Sequence, residues 1–284
     1  MISPDEIEVL RDFSVIAEHN DVPFVLIGAG ARLVIFDRAH DLQSTRTTTD
    51  WDIGVNVNDW EAFRRLQDAL TVGPEPLFTR GREVHRFRHI KGVAIDIVPF
   101  GGVEREDGTI AWPEEDTEML VLGLREVLSN AVSVDIGEGV IVPAATAPGL
   151  AMLKTFAFHE RRINDDLHDL YFILDNYDRA GNEDRIFDEL SDLLSDGLLE
   201  YDDAGAYLLG IDVGRLVSSR TVKKLLEIMT TFLDPFSSDL SPLITRVGDE
   251  RQEVAERTRI AKKFSTFRAG IEAATKSVEG LVKL

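Results

Sequence analysis

Acid at alternate positions of a β-rich apolar run, Asp50-Trp51-Asp52-Ile53-Gly54-Val55, constrains this chain more than any other stretch. Residues i and i+2 of a strand face the same side, about 6–7 Å apart. Asp50 and Asp52 therefore project together, while Trp51, Ile53, Val55 and Val57 project to the opposite face. A further acid, Asp96, lies inside a second apolar run, Val93 to Val98. A lone ionised carboxylate there would cost several kcal/mol unless it were paired or bound to a cation. Acids of this kind on neighbouring strands predict a divalent-metal site made of Asp50, Asp52 and Asp96.

Elements upstream of the first acids are legible from their punctuation. Ser3-Pro4-Asp5-Glu6 reads as a capping box with proline at the first helical position, and Ile7, Leu10, Phe13 and Ile16-Ala17 form the apolar stripe of an opening helix. Val22 to Ile27 is a short strand that stops at Gly28-Ala29-Gly30-Ala31, and Leu33 to Phe36 reads as helix, with Asp37 to Thr47 as loop. A glycine turn from strand to helix aims backbone N–H groups at an anion. Gly28, Ala29 and Gly30 are therefore candidate nucleotide-binding residues. The dinucleotide fingerprint fails, because Leu33 stands where a third glycine is needed. Arg46, just before the acids, suits either a phosphate or a pairing with Asp50.

Downstream, Asp59 caps a helix with Trp60, Phe63, Leu66 and Leu70 on one side. Val84–Ile90 and Val93–Val98, joined at Lys91-Gly92, predict adjacent antiparallel strands, closed by Pro99 and Gly101-Gly102. Residues 103–145 are mixed, with short strands around Val132–Ile136 and Val140–Val142. From Thr146 the pattern is nearly all helical, beginning with Ala147 to Arg161 and Asp165 to Tyr177. The expected class is α+β: a mixed β-sheet core with flanking helices over residues 1–145, then a mainly α-helical domain over 146–284. A phosphate-cradling turn followed by the acids supplies the parts needed to hold a metal-bound triphosphate. Magnesium takes hard oxygen ligands and few protein carboxylates, and paired ions about 4 Å apart activate an attacking hydroxyl and stabilise a departing pyrophosphate.

The stretches Val25-Leu26-Ile27-Gly28-Ala29-Gly30-Ala31-Arg32, Arg46-Thr47-Thr48-Thr49-Asp50-Trp51-Asp52 and Val93-Ala94-Ile95-Asp96-Ile97-Val98-Pro99-Phe100-Gly101-Gly102 resemble the DNA polymerase β-like nucleotidyltransferase superfamily. Within it the resemblance is to the AbiEii/AbiGii toxin family, whose helical lysine and aspartate motifs are similar to Leu153-Lys154-Thr155 and Asp165-Asp166-Leu167-His168-Asp169-Leu170. The likeness spans roughly residues 22–177, with Ala29 where serine or glycine is common in the family. It implies a catalytic nucleotidyltransferase domain and transfer of a nucleoside monophosphate from an NTP to an acceptor hydroxyl on tRNA or another cellular target. It also implies restraint by a cognate antitoxin. By that likeness Asp50 and Asp52 bind metal, Asp96 completes the site, Lys154 neutralises triphosphate charge, and Asp166 or Asp169 completes the helical motif. Lys154 lies amid Leu150, Leu153, Phe156 and Phe158, which equally suits a packed helix with a snorkelling amine.

Composition sets the outer bounds. There is no cysteine, which excludes disulfides, thiolate zinc sites and cysteine nucleophiles. No basic leader and no apolar run of membrane-spanning length is present, which predicts a cytoplasmic protein without a membrane partner. A formal net charge of −20 opposes non-specific nucleic-acid binding. Local exceptions exist: residues 251–284 carry eight Lys/Arg against four Glu, and Arg80, Arg82, Arg86, Arg88 and Lys91 cluster with His85 and His89. That second cluster suits either RNA or nucleotide, or a solvated strand face balancing nearby acids. Two readings thus stand beside each other: a metal-dependent nucleotidyltransferase, and a catalytically silent nucleotide-binding module of the same fold.

Overall fold

The computed structural model describes residues 2–42, 50–113, 117–244 and 249–282. The chain divides into compact units, Met1–Thr146 and Ala147–Leu284. The first is built on a seven-stranded mixed sheet and the second is helical, so the α+β class expected from the sequence is the class observed.

The first unit opens with α1 (Pro4–His19), whose capping box is formed: Glu6 N–H donates to Ser3 Oγ at 3.3 Å and Ser3 N–H donates to Glu6 Oε2 at 2.8 Å. Its Ile7, Leu10, Phe13 and Ala17 are buried, and Phe13 meets Phe24 edge-on with ring centroids 5.2 Å apart. Then follow β1 (Phe24–Ile27) and α2 (Gly28–Arg32), which runs on as a π-helical stretch, Leu33–Arg38. Asp37 and Arg38 therefore belong to helix, not to the expected loop. The central strand β2 (Asp50–Val57) pairs antiparallel with β1 and parallel with β5 (Ala94–Gly101). Between them lie α3 (Trp60–Thr71), capped by Asp59 Oδ1 accepting from Ala62 N–H at 2.7 Å, and the strands β3 (Phe78–Arg80) and β4 (Arg86–His89). A small hairpin, β6 (Thr109–Ala111) and β7 (Glu118–Leu120), precedes α4 (Leu124–Ser129) and the closing strands β8 (Val132–Asp135) and β9 (Ile141–Ala144). The order across the main sheet is β3-β4-β5-β2-β1-β9-β8.

Pro99 does not close β5 as its sequence position suggested; the strand continues through it to Gly101. Register explains why. Ile97 N–H donates to His85 O, so the N atoms of residues 97 and 99 point toward β4. The β4 pairing stops at Arg86↔Asp96, so Pro99 lacks a donor where no partner strand asks for one.

The second unit comprises α5 (Ala147–Arg161), α6 (Asn164–Asn176), α7 (Glu183–Ser195), α8 (Tyr201–Leu216), α9 (Ser219–Met229), short 3-10 turns at Thr230–Phe232 and Ser238–Leu243, and α10 (Glu250–Val282). α8 and α10 meet with their backbones touching. A Cβ built on Gly210 would overlap the Phe267 carbonyl, and one on Gly270 would overlap the Tyr207 carbonyl. Phe264, Phe267 and Ile271 fill the rest of that seam and are fully buried. Five basic residues of α10 are matched within the unit: Lys262 to Glu200 and Asp203, Lys263 to Asp175, Arg257 to Glu253, Arg259 to Glu256 and Arg268 to Glu272.

Two effects oppose each other at Gly270. Alanine gains about 1 kcal/mol of helix propensity, whereas overpacking a closed seam costs about 1–3 kcal/mol. Because the obstruction is rigid backbone, Gly270→Ala is expected to destabilise the protein on balance. A lower denaturation midpoint by urea titration checks this; an unchanged or raised midpoint shows that α8 and α10 separate freely.

Candidate active site

Pairing of β2 with β5 places the predicted acids. Asp52 is the register partner of Asp96, and Asp50, two residues back, faces the same way opposite Ala94. The other face of β2 is core: Trp51, Ile53, Val55 and Val57 are buried, and Trp51 lies so close under α2 that a Cβ on Gly30 would stand 2.6 Å from its Cε3. Side chains on one face thus anchor the strand while those on the other face present carboxylates.

Gly28 completes the corner. Ile27 is the antiparallel partner of Asp52, so the chain leaves β1 directly beside that carboxylate. Gly28 adopts φ +66°, and a Cβ there would overlap Asp52 Oδ2. Only glycine accommodates both the left-handed backbone and the approach of the acid. Ala29 follows in the same turn, and Gly30 and Ala31 are buried. Arg46 lies outside the described residues.

The residue that sequence reasoning left in a general basic cluster is Arg86. From β4 it stands opposite Asp96 in the antiparallel register. Its Nε donates to Asp96 Oδ1 at 2.8 Å, and its Nη2 donates to Asp96 Oδ2 at 2.7 Å and to Asp50 Oδ2 at 2.6 Å. The guanidinium therefore grips one carboxylate in a fork and reaches a second. Asp96 above all, then Asp50 and Glu83, hold it yet more firmly in its charged form. Gly81 leaves room for the stem; a Cβ there would stand 2.8 Å from Arg86 Cγ.

Other members of that cluster are also matched. Arg80 pairs with Asp68, Lys91 with Glu8, and buried His89 places Nε2 3.1 Å from Asp12 Oδ2. For these side chains the solvated-face reading of the sequence is what the structure displays.

Among the described residues no group of three or more His, Asp or Glu side chains is arranged to hold a metal ion. The donor chemistry nonetheless suits a hard cation, since Asp50, Asp52 and Asp96 offer carboxylate oxygens side by side on one sheet face. A cationic group already bridges two of them in the form of Arg86.

Lys154, Asp166 and Asp169 form a cluster of their own in the helical unit. Lys154 Nζ lies 3.0 Å from Asp166 Oδ1 and 2.7 Å from Asp169 Oδ2, with all three side chains under a tenth exposed. Arg161 Nη2 closes the far side of Asp166 at 2.8 Å. The amine that the sequence offered to a triphosphate is thus held by aspartates from the next helix, and it ties α5 to α6.

No family model and no curated protein matches the chain. Solved structures that it resembles include an antigenic nucleotidyltransferase-like protein from Paracoccidioides brasiliensis, at 14% identity and TM-score 0.40 over 68% of this chain and 93% of that one. The antibiotic-resistance factor ANT(2'')-Ia aligns at 12% identity and TM-score 0.35, covering 68% of this chain and 96% of its own. A CCA-adding enzyme from Thermotoga maritima, solved in complex with tRNA, aligns at 12% identity and TM-score 0.25 over 96% of this chain and 83% of its own. At such identities and scores, the functional reading rests on this chain's own residues. Among the described residues no helix is long and apolar enough to cross a membrane.

Gly28→Ala is expected to lower stability by more than Gly92→Ala. Both positions have positive φ, +66° and +83°, but only Gly28 has a neighbour in the way. The backbone strain alone is worth about 1–2 kcal/mol. Equal losses on urea denaturation contradict the close approach of Asp52. Separately, Lys154→Met removes the cation that Asp166 and Asp169 share in the interior, leaving Asp166 its bond from Arg161, and is expected to cost about 3–5 kcal/mol; a midpoint within error of the parent shows the cluster to be solvated.

Proposed function

We propose that the protein is a metal-dependent nucleotidyltransferase that moves a nucleoside monophosphate from an NTP to an acceptor hydroxyl. One observation carries this reading. The carboxylate of Asp52 rests against the glycine turn that begins α2, with Asp96 beside it in register and Asp50 on the same face. A bend able to approach phosphate and a row of hard oxygens share one corner of the sheet.

Asp50, Asp52 and Asp96 are the residues that would hold magnesium. When bound, the ion would neutralise phosphate charge and favour the ionised acceptor hydroxyl. The chain's own contribution is positioning. The Gly28–Gly30 turn carries no side chain of its own beyond the Ala29 methyl, so that a triphosphate could approach its backbone. The buried face of β2 fixes Asp50 and Asp52 in direction, which limits reorganisation during transfer. Once free of Arg86, Asp96 would accept the acceptor's proton as the hydroxyl oxygen bonds to the α-phosphorus and the bond to pyrophosphate breaks in line.

Finer assignments rest on the sequence resemblance. On that basis the protein is the toxin of a toxin–antitoxin or phage-defence pair, with tRNA or another cellular target as acceptor and a cognate antitoxin as partner. Lys154, which the resemblance assigns to the triphosphate, is instead enclosed with Asp166 and Asp169 inside the helical unit, and Arg46, by its place just before the acids, would bind a phosphate. The ion pairs from Arg86 to Asp50 and Asp96 favour the second reading, a silent nucleotide-binding module, to the extent that they persist when nucleotide is bound.

The test is direct. Protein is incubated with each labelled NTP, magnesium, and either total tRNA or cell extract. Labelling of one polymer is expected, with Asp52→Asn and Asp50→Asn reducing it by about 10²-fold or more while the far-UV spectrum stays unchanged. NTP binding without labelling of any acceptor establishes the silent module, and full labelling by either variant removes the proposed site.

A further inference from the structure

Arg86 occupies the oxygens that a metal ion would need. Both oxygens of Asp96 and Oδ2 of Asp50 accept hydrogen bonds from one guanidinium. A carboxylate cannot direct the same lone pairs at an arginine fork and at a cation a little over 2 Å away. Arg86 and the ion therefore compete for these acids.

Several features make the arginine a displaceable occupant and not a permanent strut. Its side chain is 34% exposed and Asp50 is 33% exposed, so that end of the bridge is open to water, while Asp96 in the fork is 13% exposed. Such pairs are weak in solution because both partners regain hydration on parting. Its strand, β4, lies next to the outermost strand of the sheet. Glu83, whose charge already acts on Arg86, is a further anion within electrostatic reach of it. Gly81 supplies a bare backbone for that stem to move across. By contrast, the cationic group in the helical unit, Lys154, is enclosed and has no comparable freedom.

We infer that Arg86 is a built-in counter-cation of the site, holding Asp50 and Asp96 in place before metal arrives and leaving them when a divalent cation binds. This inference rests on the nucleotidyltransferase reading for its metal, and on the observed ion pairs for its arginine. Apparent affinity falls by the fraction of molecules whose site is open, so an arginine-closed state favoured about tenfold weakens metal binding by about tenfold. The device keeps like-charged carboxylates from scattering in the absence of ligand, and it makes the site respond to cation concentration.

Manganese serves as the probe, its free concentration followed by electron paramagnetic resonance while it is titrated onto the full-length protein. Arg86→Gln removes the charge and the fork and is expected to bind manganese at least tenfold more tightly than the parent. Adding Asp96→Asn to that variant is expected to abolish the gain. Arg86→Lys keeps the charge but cannot fork; it is expected to bind more tightly than the parent by a smaller factor, and it carries the test if the glutamine variant fails to fold. Equal or weaker manganese binding by the variants, with polymer labelling by the parent intact, overturns the arginine's role alone. No manganese bound by any variant, with no labelling, overturns this inference and the nucleotidyltransferase reading together.

Discussion

Parallel pairing of β2 with β5 is the constraint on which the rest of the first unit depends. Eight consecutive register pairs join Asp50–Val57 to Ala94–Gly101. A shift by one residue would turn Trp51 outward and bury Asp50 and Asp52, since side chains alternate faces. Trp51 is almost fully buried, and burying a large aromatic is worth about 1.5–3 kcal/mol. Ionised aspartates in its place would cost several kcal/mol each. The same residues that make the strand fold therefore make its register nearly inescapable, and the alignment of Asp52 with Asp96 follows from packing before any ligand is considered.

A parallel pair needs a crossover, and here the crossover is itself part of the site. Leaving β2, the chain runs through α3 and then lays down β3 and β4 before it enters β5. β4 thus reaches β5 on the side opposite β2, which is how Arg86 comes to stand across Asp96 and within reach of Asp50. The helical unit answers the same problem of charge in the interior by enclosure. Lys154 is sealed with its aspartates and Lys263 donates to Asp175 and to the Asp202 carbonyl, both as buried cations.

Much of this was legible in the residues, and what was not has physical reasons. Capping at Ser3 and Asp59, the turn at Gly28 and the alternating faces of β2 are local signals, and they stand where sequence patterning put them. The Arg86–Asp96 pair was within reach too. Three residues, Ile90-Lys91-Gly92, close the β4–β5 hairpin, and Gly92 has φ +83°, the common geometry for a loop of that length. Counting back from that loop sets Arg86 opposite Asp96. β3 was missed because three residues with a single buried side chain carry no periodicity. The passage of β5 through Pro99 was illegible because it depends on where β4 ends, which is a tertiary fact. The π-helical run at Leu33–Arg38 left no mark in an apolar pattern that reads equally as α-helix.

Charge distribution narrows the kind of ligand the sheet unit can attract. Its basic cluster is the only part of that unit where the sequence concentrates cations, yet Arg80, Arg86 and Lys91 already face Asp68, Asp50, Asp96 and Glu8. A polyphosphate backbone would have to exchange partners at each of them against a chain of net charge −20. The exposed pairs of Arg80 and Lys91 hold by about 1 kcal/mol or less, so their exchange is cheap, but none gains the free counterion release that drives broad nucleic-acid binding. A compact ligand that carries its own cation meets less of this opposition, because the cation offsets part of its charge. On the proposed reading, metal-bound nucleotide would bring positive charge to the carboxylates and phosphate to the Gly28 turn in one event, and that economy would favour a small nucleotide as the first ligand and any polymer as the second.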